Sequence, residues 1–486
     1  MTISFNEVPA NTRIPFTAIE VDPSGAQQGP TVQPYKILVI GQRSGGSGSV
    51  GKLYRSVDET EIASLFGAGS QIHRQSAALF ANNKSTETWF VALADPTGNA
   101  ATEDMTVAGT ATEAGTIFLY VGGQRVTVAV ANGDDATTVA TAVVAAVTAK
   151  TSLPVTASNA LGVVTFTAKN DGICGNDISL SLNVAEDEKA PDGLTVTGFN
   201  MAGGTGVLDL SSVYPLLGDE HFTHWVLPAL DTTELGNVET ELADRYGPMN
   251  PVDAHAFTAY SDTYANTAAI GAARNSPHVS MVGTNESLTP TWEWAAAFCG
   301  VAAFNLNIDP ARPLQTLEVK GVLPPARGTR WDDTERNLLL FDGISTFRID
   351  AGGRCRIERA ITMYQKNAFN ADDTAFLDLN SLATLSALRY DLRNYWALRF
   401  PRHKLRADGA RIPAGQKIMT PKLARAEIIS RFRQWEDNGW VEGIEQFKDD
   451  LIVEINASDP NRLDIFLAPD LVNQLRLTAM QMGFKL

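Results

Sequence analysis

The stretch from Lys448 to Leu486 constrains this chain more than any other. Leu451-Ile452-Val453-Glu454-Ile455 and Leu463-Asp464-Ile465-Phe466-Leu467 are strand-like runs, rich in β-branched and aliphatic residues. Between them, Asn456-Ala457-Ser458-Asp459-Pro460-Asn461 is a cluster of turn formers and predicts a hairpin loop. Beyond Pro469, the residues Leu475, Leu477, Met480, Met482 and Phe484 form a third extended run. A chain end frays unless something ties it down, yet this one is apolar to within two residues of the last. Such a run either completes its own sheet or adds a strand to the sheet of another molecule.

Upstream, the pattern predicts an α/β and α+β multidomain protein. Residues 1–34 read as an extended arm: Pro9, Pro15, Pro23, Pro30 and Pro34 forbid a long helix, and only Ile14 to Val21 is strand-like. A flexible leader is the other reading of that segment. Tyr35 to Gly41 is a buried-strand run that opens into a glycine- and serine-rich loop. A helix is expected from Ser56, capped by Ser56 and Glu59, then another over 70–82 and a buried strand at Thr88 to Ala94. From about residue 98 the texture changes to short Thr/Val/Ala/Gly-rich segments. Gly122-Gly123 predicts a tight hairpin there, and Ala140, Val143, Val144 and Val147 mark one face of a helix. The segment 98–206 thus reads as a small β-rich α+β domain inserted between two parts of a core, 35–97 and 207–328.

After Gly203-Gly204-Thr205-Gly206 strands alternate with helices. Strands fit at 222–230, 254–260 and 278–283, and helices at 231–246, 261–274 and 290–304. Alternation of this kind predicts a largely parallel sheet covered on both faces. The Pro-rich stretch from Val322 to Gly328 marks a boundary, after which residues 329–473 read as an α+β C-terminal domain and 474–486 as a C-terminal arm. That domain begins with a short helix near Asp332 and strands at 344–350 and 354–360, followed by helices at about 380–399 and 421–438.

Composition enters where it excludes something. At 486 residues the chain is too long for one ordinary core, and its 44% apolar and 19% charged content is that of a soluble globular protein. No apolar run approaches the roughly 18 residues a membrane span needs. The N-terminus lacks a basic region followed by an apolar one, which argues against a signal peptide. Cys174, Cys299 and Cys355 are odd in number and far apart, which suits a reducing compartment and argues against a disulfide framework. The net charge of −16 is uneven: residues 1–330 hold 17 Lys/Arg against 33 Asp/Glu, and the remainder is balanced. Within the remainder, 399–433 carries 10 Lys/Arg against Asp408 and Glu427 alone. This basic belt either meets acidic surfaces or is a solvated helix face.

The strongest enzymatic signal is Gly46-Ser47-Gly48-Ser49-Val50-Gly51-Lys52, the first seven positions of a phosphate-binding P-loop, with Phe90 to Asp95 resembling a magnesium-holding strand. Two departures count against it: Leu53 stands where a metal-binding hydroxyl belongs, and the next helix begins too late for its dipole to hold a phosphate. His221 and His224, with His255, offer imidazoles to a metal, but i and i+3 on a strand face opposite sides. The pairs Asp332-Asp333, Asp372-Asp373 and Asp449-Asp450 lack the further oxygen ligands of a calcium site. No Ser/His/Asp setting stands out. No catalytic residue, cofactor or metal is expected.

Taken together, the chain resembles the tail sheath proteins of contractile, Mu-like phages. The resemblance rests on Tyr35-Lys-Ile-Leu-Val-Ile-Gly-Gln42, Phe66-Gly-Ala-Gly-Ser-Gln-Ile-His73, Asn82-Asn83 and Thr86-Glu-Thr-Trp89. It continues in Glu335-Arg-Asn-Leu-Leu-Leu-Phe-Asp-Gly-Ile344, Arg354-Cys-Arg-Ile-Glu-Arg-Ala-Ile-Thr362 and the hairpin turn Asp459-Pro-Asn-Arg462. It implies an α/β sheath core with an inserted domain and strand-like arms at both ends. It also implies a non-enzymatic virion protein, present in the host cytoplasm during assembly. Such subunits stack as hexameric rings around a tail tube, meet baseplate and tail terminator proteins, and contract. They bind no nucleic acid and do not insert into a membrane. Strand exchange would use Ile14, Phe16, Ala18, Ile19 and Val21 from the N-terminal arm, and Leu475, Leu477, Met480, Met482 and Phe484 from the C-terminal arm. The recipient hairpin would comprise Leu451, Val453, Ile455, Leu463, Ile465 and Leu467. Arg399, Arg402, Lys404, Arg406, Arg425, Arg431 and Arg433 would touch the tube or a neighbour. Another tail or baseplate component, or a P-loop hydrolase, are the alternatives.

Overall fold

The computed structural model describes residues 33–409, 413 and 415–485. The chain forms two compact units, Pro34–Ala383 and a second that takes in Thr384–Leu486. The N-terminal arm residues Ile14, Phe16, Ala18, Ile19 and Val21 lie outside the described residues, as does Arg411.

An eight-stranded sheet organises the first unit. Its order is Cys355–Arg359, Ile344–Ile349, Val279–Gly283, His255–Tyr260, His224–Val226, Lys36–Gln42, Glu87–Leu93 and Leu53–Arg55. The six inner strands run parallel, and the two edge strands are antiparallel to their neighbours. A sheet covered on both faces needs strands that are apolar throughout, and Ile37, Leu38, Val39 and Ile40 are all fully buried. The two-residue period divides them: Ile37 and Val39 enter one core cluster, Leu38 and Ile40 the other. Helices Gln71–Phe80 and Thr291–Ile308 feed the first cluster, while Leu235, Val238 and Leu242 of Thr232–Arg245 feed the second. Every residue from Thr291 to Ala303 is buried, as a helix apolar on all sides requires.

The sequence places strands 344–350 and 354–360 beyond a boundary at the Pro-rich stretch. Instead they complete the central sheet, with Met281 and Val282 in register with Ile344 and Ser345. Main-chain pairing between residues some sixty positions apart leaves no local sequence mark. The first helix also differs. It begins at Glu59 with Asp58 as N-cap, accepting from the Thr60 amide, while the Ser56 hydroxyl bonds Glu61 and the Asp58 carbonyl.

Between the Glu87–Leu93 and His224–Val226 strands the chain builds a β-sandwich. A four-stranded antiparallel sheet (Leu194–Thr197, Ala100–Gly109, Val163–Asp171, Val155–Ala160) faces a three-stranded one (Gln124–Val130, Gly115–Val121, Leu180–Leu182). Both sheets and helix Ala136–Ala149 share one apolar core. Gly122 and Gly123, with φ of 53° and 75°, supply the two left-handed residues the tight hairpin demands.

In the second unit, helix Pro421–Asp437 buries Ile428, Phe432 and Trp435 against Leu388, Val441, Phe447 and Leu451. The Phe432 and Phe447 rings stack at 4.1 Å between centroids. The expected hairpin forms from Ile452–Ile455 and Leu463–Phe466, and Asp470–Leu471 pairs antiparallel with Val441–Glu442. Residues 472–485 have no regular secondary structure.

Candidate assembly interface

The C-terminal hairpin is a sheet of only two strands. Among the described residues, Ile452–Ile455 pairs with Leu463–Phe466 alone, so each strand keeps one open main-chain edge. Alternation divides its side chains. Leu451 is buried in the helical core, with Val453, Ile465 and Leu467 packed against it; Ile455 and Leu463 are half-buried. The cross-strand partners Ile452 and Phe466 face outward, 55% and 60% exposed. An isolated hairpin is marginal in water, and an open edge is a template for a further strand. The side chains named for the recipient hairpin therefore serve its own core, and its edges and outer face are what an incoming strand would meet.

The tail supplies a segment of matching character. Leu475, Leu477, Met480, Met482 and Phe484 are 72%, 84%, 89%, 95% and 83% exposed. Large apolar side chains this exposed in succession are rare on a finished surface and mark an interaction site. Their spacing is two within 475–477 and within 480–484, the period of a strand, with one break between.

The basic belt divides into surface and interior. Arg402, Lys404, Arg406 and Arg433 are exposed, and Arg399 lies 3.4 Å from Glu427. Arg425 turns inward, donating to the carbonyls of Lys448 and Leu451 and tying its helix to the start of the hairpin. Arg431 is not a surface charge at all. Its guanidinium is 3% exposed and donates to both oxygens of Asp391, which also accepts from Trp435 Nε1 at 2.7 Å. Asp391 escapes a count of local charge because it lies forty residues away; its position between Leu388 and Leu392 on an apolar helix face is the readable signal.

The remaining chemical candidates are structural. The loop after Lys36–Gln42 folds back on helix Glu59–Phe66: the Gly48 amide donates to the Leu65 carbonyl at 2.7 Å, and Arg43 donates to the carbonyls of Gly46 and Gly48. Lys52 leads into the Leu53–Arg55 strand, not a helix, and its ammonium lies 5.4 Å from the Tyr54 ring centroid. No helix N-terminus therefore stands where a P-loop phosphate would sit. His224 and His255 are register partners on neighbouring strands, bonded to Thr223 Oγ1 and Ser280 Oγ at 2.8 Å. Burial drives the His224 imidazole down to about 3 and that of His255 well below its ordinary value, so both are neutral core residues. All three cysteines are buried thiols. Among the described residues no group of three or more His, Cys, Asp or Glu side chains is placed to hold a metal, and no helix is long and apolar enough to cross a membrane.

Against known proteins, residues 96–205, 203–363 and 371–485 match, in order, the phage tail sheath protein beta-sandwich, central and C-terminal domain families. The Mu-like prophage FluMu tail sheath protein of Haemophilus influenzae is 38% identical over 486 residues, all of both chains. The fold is shared with a PVC sheath complex of an extracellular contractile injection system in the contracted state, at TM-score 0.50 and 10% identity over 98% of this chain and 99% of that one. It is shared equally with the contracted helical sheath of the anti-feeding prophage, at TM-score 0.50 and 10% identity over 98% and 100%.

Proposed function

The chain belongs to the phage tail sheath family, as a non-enzymatic subunit of a contractile virion tail, and from that premise we propose that it assembles by donating its C-terminal tail as a strand. The observation that supports this is the presence in one chain of an apolar, exposed segment, Leu475 to Phe484, and a two-stranded hairpin whose outer edges pair with no other described strand. Strand addition joins subunits through main-chain hydrogen bonds, with little demand on sequence. Because those bonds are confined to the chain ends, the bodies can reorient while the lattice stays connected. Subunits would stack as hexameric rings around a tail tube and shorten when released at the baseplate, a bistable packing change repeated along the sheath. The N-terminal arm, Ile14 to Val21, would contribute a second strand to the same junction. The exposed part of the belt, Arg402, Lys404, Arg406 and Arg433, would meet the tube or an adjoining subunit.

Concentrated protein, imaged by negative stain and followed by light scattering, should form tubes or rings with no nucleotide added. A monodisperse monomer at every concentration and salt would contradict the proposal.

A further inference from the structure

A second surface of the first unit gathers three arginines around one cleft. At the carboxyl ends of the parallel strands Val279–Gly283 and Ile344–Ile349 lies a cleft of about 210 Å³, lined by Asn285, Arg330, Trp331, Arg336, Phe347 and Arg348 among others. Arg336 is fully engaged, donating to Glu358 at 2.9 Å, to the Trp331 carbonyl at 2.7 Å and to Asp333, and so it buttresses the wall. Arg330 spends only Nε, on the Pro325 carbonyl at 3.1 Å. Its two Nη groups have no partner among the described residues. Arg348 is 66% exposed and pairs loosely, Nε lying 3.6 Å from Glu358 Oε1, while Arg336 and Thr346 Oγ1 bond the other oxygen, Oε2.

Asn285 points to the same conclusion independently. It is 5% exposed as a residue and lines the cleft, and its side-chain amide, which hydrogen-bonds no described residue, keeps solvent access there. It also sits with Glu286 in the left-handed region, at φ of 53° and 54°, a conformation two successive non-glycine residues seldom share. The Asn285 amide at the cleft wall, the unspent Nη groups of Arg330, the exposed guanidinium of Arg348 and the apolar faces of Trp331 and Phe347 together suit a carboxylate on a short side chain.

We propose that this cleft receives an Asp or Glu side chain from a second copy of the chain. The occupant follows from charge. The body from residue 1 to 330 carries 33 acidic against 17 basic residues, so copies brought together in a sheath present carboxylates to one another, and the unspent Nη groups of Arg330 with the exposed Arg348 are their complement. The inference rests on the sheath reading for the presence of neighbours, and goes beyond it in naming a contact distinct from strand exchange.

The test compares polymerisation of the full chain with that of the Arg330→Gln/Arg348→Gln variant, after circular dichroism and thermal melting establish that both fold alike. The concentration at which polymer appears should rise about tenfold, the equivalent of ~1.4 kcal/mol. Separately, Arg348→Lys subunits, mixed from isotope-labelled and unlabelled pools and assembled, are treated with a carbodiimide and analysed by mass spectrometry. Crosslinks from the introduced amine to an Asp or Glu of the other pool are expected. Unchanged polymerisation of the double variant, or crosslinks confined to one copy, would overturn the inference. Failure of the unaltered chain to polymerise would instead strike the sheath reading itself.

Discussion

Arg431 and Asp391, forty positions apart, form a buried ion pair in which Nε and one Nη of the guanidinium reach the two carboxylate oxygens. The Arg431 guanidinium also lies 4.8 Å from the Tyr395 ring centroid, and Tyr395 donates to Glu427 at 2.5 Å. The pair thus joins helices Leu379–Arg399 and Pro421–Asp437 at the centre of the C-terminal unit.

Because both groups are desolvated, removing one leaves an uncompensated charge. Asp391→Ala should therefore destabilise the unit by about 3–5 kcal/mol, whereas Asp391→Leu combined with Arg431→Met should cost far less. Urea unfolding of the three proteins measures this. Equal losses in the single and double variants would show that the pair contributes through packing alone.

The central sheet is more legible in the sequence than the placement of the charges. Alternate residues of Ile37 to Ile40 dividing between two cores is a local property, readable because period two and uniform apolarity leave no other arrangement. The Gly122-Gly123 hairpin is readable for another local reason: two adjacent glycines supply the left-handed residues of a tight turn. By contrast, the Ile344–Ile349 strand joins Val279–Gly283 through hydrogen bonds between distant segments, and a Pro-rich stretch between them mimics a boundary. Arg431 was legible as a cation but not as an interior one, since its partner is on another helix. The cleft at Asn285, Arg330 and Arg348 is scattered over three segments and had no motif to announce it.

The glycine loop bears on nucleotide chemistry directly. With Gly48 and Arg43 committed to internal hydrogen bonds and Lys52 set beside Tyr54, no amide cradle faces a phosphate. Calorimetry should detect no ATP binding, with or without magnesium. Lys52→Ala should leave stability within ~0.5 kcal/mol of the parent. A micromolar affinity abolished by that substitution would contradict the loop's structural role.

Asp177 carries a pH dependence. It accepts from the Thr291 hydroxyl where the sandwich meets the Thr291–Ile308 helix, and burial pushes its carboxyl up to about 6 from 3.8. A folded-state value above the unfolded one means the native protein binds the proton more tightly. Its contribution is therefore most favourable below about pH 4, declines as pH rises toward 6, and stays unfavourable above, by at most about 3 kcal/mol. Asp177→Asn removes the charge and keeps an oxygen for Thr291. Its melting temperature should exceed the parent's at pH 8 by a few degrees and match it near pH 4. A difference of the same size at both pH values would point to a cause other than ionisation.

The tail gives the sharpest test of how subunits connect. Leu475, Leu477, Met480, Met482 and Phe484 are all more than 70% exposed in the free chain, so they contribute little burial to its own fold. Deleting residues 474–486 should leave the melting temperature within ~1–2 °C of the parent, since surface changes rarely exceed ~0.5 kcal/mol. The same deletion should abolish tubes and rings. Had the segment been an inner strand, loss of its apolar contacts would lower stability sharply instead. Hydrogen exchange adds an independent reading: amides of 477–484 should exchange freely in the monomer and become protected on assembly, as a newly paired strand requires. Truncated protein that still builds normal tubes would rule out the C-terminal arm as the connection between subunits.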